Sequence, residues 1–321
     1  MAKRVVESIV GVDTGKSHFD LHYWEGGEKE RIDNRPRSID ALLERLPAAS
    51  VIALEATGTY HEELLDRALR RGFTVYLING QRLRAYAEAT GLRAKTDPSD
   101  AELLARFVYY ERAQLRPQRL IGADQRRLRR LLKRRALLVE MRTRLRQSSD
   151  ATAQLKQYFA EVIEAANRAI AHIEHELRAL VRRLGWEAEV QLCRSIPGVG
   201  ELSAIALVES YQRGPFKSID AFIAFQGLDV RVRQSGRWVG RRKLTKMGDA
   251  ETRRLLFNAA RAAVQRSALH AAYYERLRAR GTPTTGAYVA VARKLARQAF
   301  GVLRSQTPYR CDLGSTACAA A

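Results

Sequence analysis

A chain of 321 residues with 56 Lys and Arg against 35 Asp and Glu carries a formal net charge of +21 and a pI near 10.4, which points to a polyanionic partner, nucleic acid foremost. Its three cysteines, Cys193, Cys311 and Cys318, have no paired spacing, so neither a disulfide framework nor a zinc site is indicated. No run approaches the roughly 18 apolar residues of a membrane span, and Met1-Ala2-Lys3-Arg4-Val5 opens no signal-peptide core; the expectation is a cytoplasmic protein of two domains that binds no membrane.

Residues 4–12 read as a buried strand that ends at Asp13. The run Phe19-Asp20-Leu21-His22-Tyr23 alternates as a half-exposed strand does, and a Gly26-Gly27 turn leads to a third strand. Residues 38–46 read as a helix, and Ser50-Val51-Ile52-Ala53-Leu54 as a short buried strand that delivers Glu55. A helix near 61–71, a strand over Phe73–Ile78 and a helix from about 81 follow. A β-meander followed by alternating strands and helices predicts an α/β domain with a mixed sheet.

The next stretch, Lys95-Thr96-Asp97-Pro98-Ser99-Asp100-Ala101, turns from loop into helix. Asp97 suits an N-cap, Pro98 the first helical position, and Asp100 the positive end of the helix dipole. The same i, i+3 spacing puts both carboxylates on one side of the first turn, within reach of one cation. Asp13 and Glu55 each end a strand, and residues just past strand ends gather at one edge of a mixed sheet. Four carboxylates brought together cannot all stay ionised without a cation. The all-oxygen donor set, without His or Cys, favours Mg²⁺, with Mn²⁺ as the other candidate. Such a site suits phosphoryl transfer on nucleic acid.

From Arg116 to Arg146 twelve basic residues face two acids, with Leu128, Leu131, Leu132, Leu138 and Leu145 between them. This predicts an amphipathic basic helix, with Arg126, Arg127, Arg130, Lys133 and Arg134 as phosphate contacts. A second helix over about 152–184 places Phe159, Ile163, Ala166, Ile170, Ile173, Leu177, Leu180 and Leu184 at alternating steps of four and three, a heptad seam. Periodicity leaves open whether the pair closes as a hairpin or zips to a second subunit. His172 and His175 lie off the seam and read as surface residues.

Pro197-Gly198-Val199-Gly200 before a helical run resembles a helix-hairpin-helix turn, in which the N–H groups around Gly198 and Gly200 hold a phosphate. Between Leu228 and Arg254 nine basic residues face three acids. Arg233, Arg237, Arg241, Arg242, Lys243, Lys246 and Arg253 are candidate nucleic-acid contacts, and Ser235 sits among them before a glycine. No His–Asp partner suggests a protease-like triad; a serine attacking a phosphodiester could be activated by a metal and by basic neighbours. Two basic helices, about 250–279 and 285–304, precede a tail expected to be disordered.

Asp13 in Gly-Val-Asp, Glu55 in Leu-Glu-Ala-Thr-Gly, and Asp97 with Asp100 in Lys-Thr-Asp-Pro-Ser-Asp-Ala resemble the acidic tetrad of the DEDD transposases of bacterial insertion sequences, the IS-one-ten family, related to the Piv-type DNA invertases. Pro-Gly-Val-Gly, Gly227-Leu228, Ser235-Gly236 and Lys246-Met247-Gly248 with Arg253 resemble that family's C-terminal domain. Asp229-Val230 departs from the pattern, standing where members often carry a proline. The resemblance implies a RuvC-like (RNase H) domain over 1–115, a basic helix and coiled coil over 116–185, a mainly helical transposase domain over 186–305, and the tail 306–321. It also implies recombination of donor and target DNA with Ser235 as a nucleophile linked covalently to DNA, Mg²⁺ on the tetrad, and a site shared between subunits of a homodimer or tetramer. A structured bridge RNA as guide is implied by several members. The alternative is a junction-resolving nuclease that uses the tetrad and water alone.

Overall fold

The computed structural model describes residues 8–56, 58–91, 97–148, 153–231, 234–235, 238–239 and 243–310. The chain divides into two compact units, Met1–Leu120 and Ile121–Ala321.

In the first unit β1 (Ile9–Thr14), β2 (His18–Tyr23) and β3 (Lys29–Asp33) form an antiparallel meander, and β4 (Val51–Glu55) and β5 (Thr74–Ile78) extend it on the other side of β1 in parallel. The order is β3-β2-β1-β4-β5, the mixed sheet of the expected RuvC-like (RNase H) arrangement. The period of two along β1 sorts its side chains between two cores. Val10 and Val12 pack with Phe19, Leu21, Ile52 and Leu54 under α1 (Pro36–Arg45) and α2 (Glu62–Arg70). Ile9 packs with Val51, Ala53 and Ile78 against α3 (Gly80–Ala89) and α4 (Asp97–Glu111). Pro36 at the first position starts α1, and Asn79 caps α3 by accepting from Gln81 N at 2.9 Å. Arg112–Gln114 adds a 3₁₀ turn after α4.

One expectation needs correcting. Alternation in β2 suggested a half-exposed strand, yet Asp20 is 8% and His22 5% exposed. Helix α4 packs on β2 as well as β1 and covers the polar face of the hairpin. Burial pushes the His22 imidazole below its ordinary pKa, opposed by Glu102 and aided by Lys29.

In the second unit α5 (Ala123–Ser148) and α6 (Ala153–Arg183) pack against each other within one chain as a hairpin. Ile170, Leu177 and Leu180 of the seam are buried, and Phe159, Ile163, Ala166, Ile173 and Leu184 are half-buried. Register is marked by Arg135 Nε donating to Glu174 Oε1 at 2.7 Å and Arg142 Nη1 to Asn167 Oδ1 at 2.8 Å. Such partly exposed polar pairs contribute about 0–1 kcal/mol each, so the leucine seam holds the hairpin and the polar pairs choose its register. His172 and His175 are exposed.

Leu128, Leu132, Leu177, Leu180 and Val181 join the same core as α7 (Glu187–Arg194), α8 (Glu201–Gln212), α9 (Ile219–Phe225), α10 (Ala250–Arg266), α11 (Ala268–Ala279) and α12 (Thr284–Ser305). The base of the hairpin therefore packs as part of the C-terminal bundle. The expected helix over 250–279 is two helices, because Ser267 is extended (φ −136°, ψ 118°) and opens α11. The tail is ordered further than expected: Tyr309 N donates to Ser195 Oγ at 2.8 Å, and its hydroxyl accepts from Gln298 Nε2 at 3.1 Å. Residues 311–321 lie outside the described residues. No helix among the described residues is long and apolar enough to cross a membrane.

Candidate active site

In the first unit the site is assembled by register. Gly11 pairs with Ala53 and Val12 with Leu54 across the parallel β1/β4 ladder, so one step further Asp13 stands beside Glu55 on the face that α4 covers. Both are half-buried. Helix α4 can lie this close only because residue 11 is glycine. A Cβ there would come 1.9 Å from the Ala101 carbonyl oxygen and 2.7 Å from Ala105 N. Since Ala101 follows Asp100 and sits one turn after Asp97, the same contact delivers the first turn of α4 to the strand ends. Asp100 is half-buried; the side chain of Asp97 lies outside the described residues.

Glu55 owes its place to a second glycine. A Cβ on Gly80, the first residue of α3, would lie 2.3 Å from Glu55 Oε1. The carboxylate thus occupies the space beside a helix start, where backbone N–H groups and dipole favour negative charge. Gly80→Ala is expected to leave folding nearly unchanged, because only the flexible end of Glu55 must move; a thermal melt checks this. Among the described residues no three His, Cys, Asp or Glu side chains are gathered into a ready metal cage. The fit to a hard divalent cation is therefore one of donor chemistry and backbone placement: all-oxygen ligands from two adjacent strand ends and one helix turn.

The sheet carries a further row that the sequence did not single out. Asp13 pairs with Asp20 across β1/β2, and Asp20 with Arg31 across β2/β3. Arg31 grips Asp20 through both oxygens, Nε to Oδ1 at 2.7 Å and Nη2 to Oδ2 at 3.1 Å. His18 Nε2 lies 3.5 Å from Asp20 Oδ2.

In the second unit Ser235 lies in β7 (Gln234–Ser235), paired with Trp238 of β8 (Trp238–Val239); its side chain is outside the described set. Outside β7 and β8, β6 (Val230–Arg231) pairs with β9 (Lys243–Leu244). The roots of this loop are pinned. Thr245 Oγ1 donates to Asp229 Oδ1, and Thr245 N to Asp229 O at 3.0 Å, so the Asp229 that departs from the family pattern ties the two sides together. A Cβ on Gly248 would fall 2.3 Å from Phe225 O and from the Gln226 carbonyl carbon. Arg253 Nη1 donates to Gly248 O at 2.5 Å and Gln226 O at 3.4 Å, and burial pushes its guanidinium pKa down, opposed by Asp249. Arg253, expected on nucleic acid, here directs donors to the loop roots.

The other expected contacts divide similarly. Lys133 and Arg134 are exposed on α5. Arg127 is exposed and paired with Glu176, Arg126 donates to Ile121 O at 3.1 Å, and Arg130 is exposed with a partner of its own. Lys246 is exposed in a left-handed conformation (φ 56°). Gly198 (φ 86°) packs on α10, where a Cβ would come 2.4 Å from Ala263 N, whereas Gly200 opens α8 with nothing nearby. Arg233, Arg237, Arg241 and Arg242, and the side chain of Lys243, lie outside the described residues. The basic helix is tied to the bundle by Arg129, whose Nε lies 3.3 Å from the buried Glu209. Burial pushes that carboxyl up, against the pull of Arg129 and Arg213.

Residues 10–160 match the family model described as "Transposase", that of the DEDD transposases of IS110, and residues 190–275 match "Transposase IS116/IS110/IS902 family". The chain is 28% identical over 268 residues to the "Pilin gene-inverting protein" of Moraxella bovis, covering 80% of this chain and 81% of the relative, and matches the Moraxella lacunata protein of the same name to the same extent. The solved structure "T. thermophilus RuvC in complex with Holliday junction substrate" overlaps 35% of this chain and 99% of its own at 13% identity, with a TM-score of 0.24; the fold assignment rests on the strand order of the sheet. The acids of the first unit lie in one matched segment and the serine loop in the other, in the family's order, and the chain belongs to the IS110 family of transposases.

Proposed function

We propose that this transposase is a DNA recombinase that cuts and rejoins strands through a covalent link between Ser235 and DNA, with Mg²⁺ held by Asp13, Glu55, Asp97 and Asp100. The observation that carries the reading is the placement of Asp13 beside Glu55 at adjacent strand ends, with the first turn of α4 brought in over Gly11. A divalent ion bound there supplies electrostatic stabilisation for phosphoryl transfer. Each carboxylate contributes an oxygen ligand, and α4 holds Asp97 and Asp100 one turn apart. In the second unit the Ser235 oxygen forms a bond to phosphorus, the bond to the leaving strand's oxygen breaks, and that oxygen takes a proton from solvent while the serine proton is lost to solvent. Resealing is the reverse. Basic residues beside Ser235 balance the phosphate charge.

The relatives are named for inverting a pilin gene; for this chain the corresponding reaction is rearrangement of DNA between a donor and a target. The exposed basic face of α5 and the net charge of +21 support a second polyanion, a structured guide RNA, alongside DNA. Assembly as a homodimer or tetramer belongs to the same proposal.

Ser235→Ala is expected to abolish the protein–DNA adduct, seen as a shifted band on denaturing gels with labelled element DNA, while nucleic-acid binding stays within about twofold. An adduct that survives the substitution overturns the serine assignment. Hydrolytic nicks that persist without any adduct would identify a junction-resolving nuclease instead.

A further inference from the structure

The row across the sheet is Glu55, Asp13, Asp20, Arg31, one residue from each of β4, β1, β2 and β3. Directly opposed residues in an antiparallel pair share a face, with Cβ atoms about 4.5–5.5 Å apart. Asp13 and Asp20 are such a pair, and like charges placed so repel. Asp20 is itself 8% exposed, and a buried carboxylate calls for a paired partner. Arg31 is that partner: its fork closes on both carboxylate oxygens, while 57% of its side chain stays in solvent.

We propose that Asp20 and Arg31 are positioning residues of the metal site: a fifth carboxylate, neutralised by arginine, that sets how strongly the tetrad draws a divalent cation without ligating it. This inference rests on the reading of the four acids as a metal site. The direction of control follows from charge. With Arg31 in place, the Asp20–Arg31 pair adds little net field at Asp13, so an empty site is not overloaded with anions. Removing the arginine exposes a second negative charge one strand from Asp13. Removing the carboxylate leaves an uncompensated cation there. The two substitutions therefore act on metal affinity with opposite signs, which a pair serving only to hold β2 against β3 does not do.

The experiment is Mn²⁺ binding to the full-length protein without nucleic acid, followed by titration calorimetry and by loss of the free-ion electron paramagnetic resonance signal. Asp20→Asn is expected to weaken Mn²⁺ binding about tenfold, the scale typical of groups just outside a ligand shell. Arg31→Gln is expected to tighten it several-fold, and Arg31→Lys, which keeps the charge but not the fork, to stay within about twofold of wild type. A thermal melt of each variant without metal confirms folding. If the wild type binds Mn²⁺ saturably and Asp20→Asn and Arg31→Gln both leave the affinity within twofold, or shift it in the same direction, the inference is overturned while the metal site stands. If the wild type itself shows no saturable binding, the metal reading falls and this inference with it.

Discussion

Gly11→Ala is expected to be the most damaging single methyl group that can be added to the first unit. Its Cβ would sit 1.9 Å from the Ala101 carbonyl oxygen and 2.7 Å from Ala105 N. Both are backbone atoms of a helix whose buried residues Ala101, Leu104, Ala105 and Val108 are in the core. No side chain can turn aside, so α4 must lift from β1 as a body. Overpacking of this kind typically costs about 1–3 kcal/mol and sometimes more; with backbone on the opposing side we expect about 3 kcal/mol. On the proposed metal site the functional loss exceeds the loss of stability, because a helix lifted by even about 1 Å shifts the first turn of α4 relative to Asp13 and Glu55, and a misplacement of that size can cost on the order of a hundredfold in rate. Urea unfolding and the yield of DNA adduct measure the two effects. Gly122→Ala is the control, since a Cβ there meets nothing within 4 Å; it should stay within about 0.5 kcal/mol. A Gly11→Ala variant as stable and active as the control would disprove the close contact.

The second large effect is expected at the roots of the serine loop. Gly248 and Gly227 approach each other so closely that a Cβ on Gly227 would lie 2.4 Å from Gly248 N, and Gly227 is itself left-handed (φ 66°). Gly248→Ala would meet Phe225 O and the Gln226 carbonyl carbon at 2.3 Å and force apart the two chain segments that Arg253 Nη1 now bridges. Helix α10 keeps its own cap, since Asp249 accepts from Glu251 N at 3.3 Å and from Thr252 Oγ1 at 3.0 Å. We therefore expect the bundle to stay folded while adduct formation falls by about a hundredfold or more. Helix content by circular dichroism, with adduct yield on the same sample, separates the outcomes. Loss of helix in step with activity would mean that the glycine serves the bundle rather than the loop. Arg253→Met, which keeps an extended side chain and removes the donors, should reproduce much of the defect if the bridge is what matters.

These effects centre on glycines, which carry no chemistry of their own. The acids were legible because each stands where local rules place it: Asp13 and Glu55 after apolar runs that end as strands, Asp97 and Asp100 beside a proline that starts a helix. The heptad seam of α6 was legible because burial of one helical face leaves a period in the chain. Asp20 was not. In Phe19-Asp20-Leu21-His22-Tyr23 alternation separates two faces, and polarity alone assigns Asp20 and His22 to solvent. Their burial follows from α4, some eighty residues along, folding back over the hairpin.

The same division runs through the whole protein. The strongly basic charge, the alternation of strands and helices, the basic helix and its apolar seam, and the acids and serine in their order are all legible along the chain, because charge, period and capping are properties of neighbours in it. Folding packs α5 and α6 as a hairpin, places its base in the C-terminal core, splits an expected helix at Ser267 and sets Arg253 across the loop roots. Folding also gives the glycines their reasons: Gly11, Gly80 and Gly248 are each required by an atom from a distant segment. A missing side chain leaves no pattern of its own; its meaning is the space it yields, and that space exists only once the chain has folded.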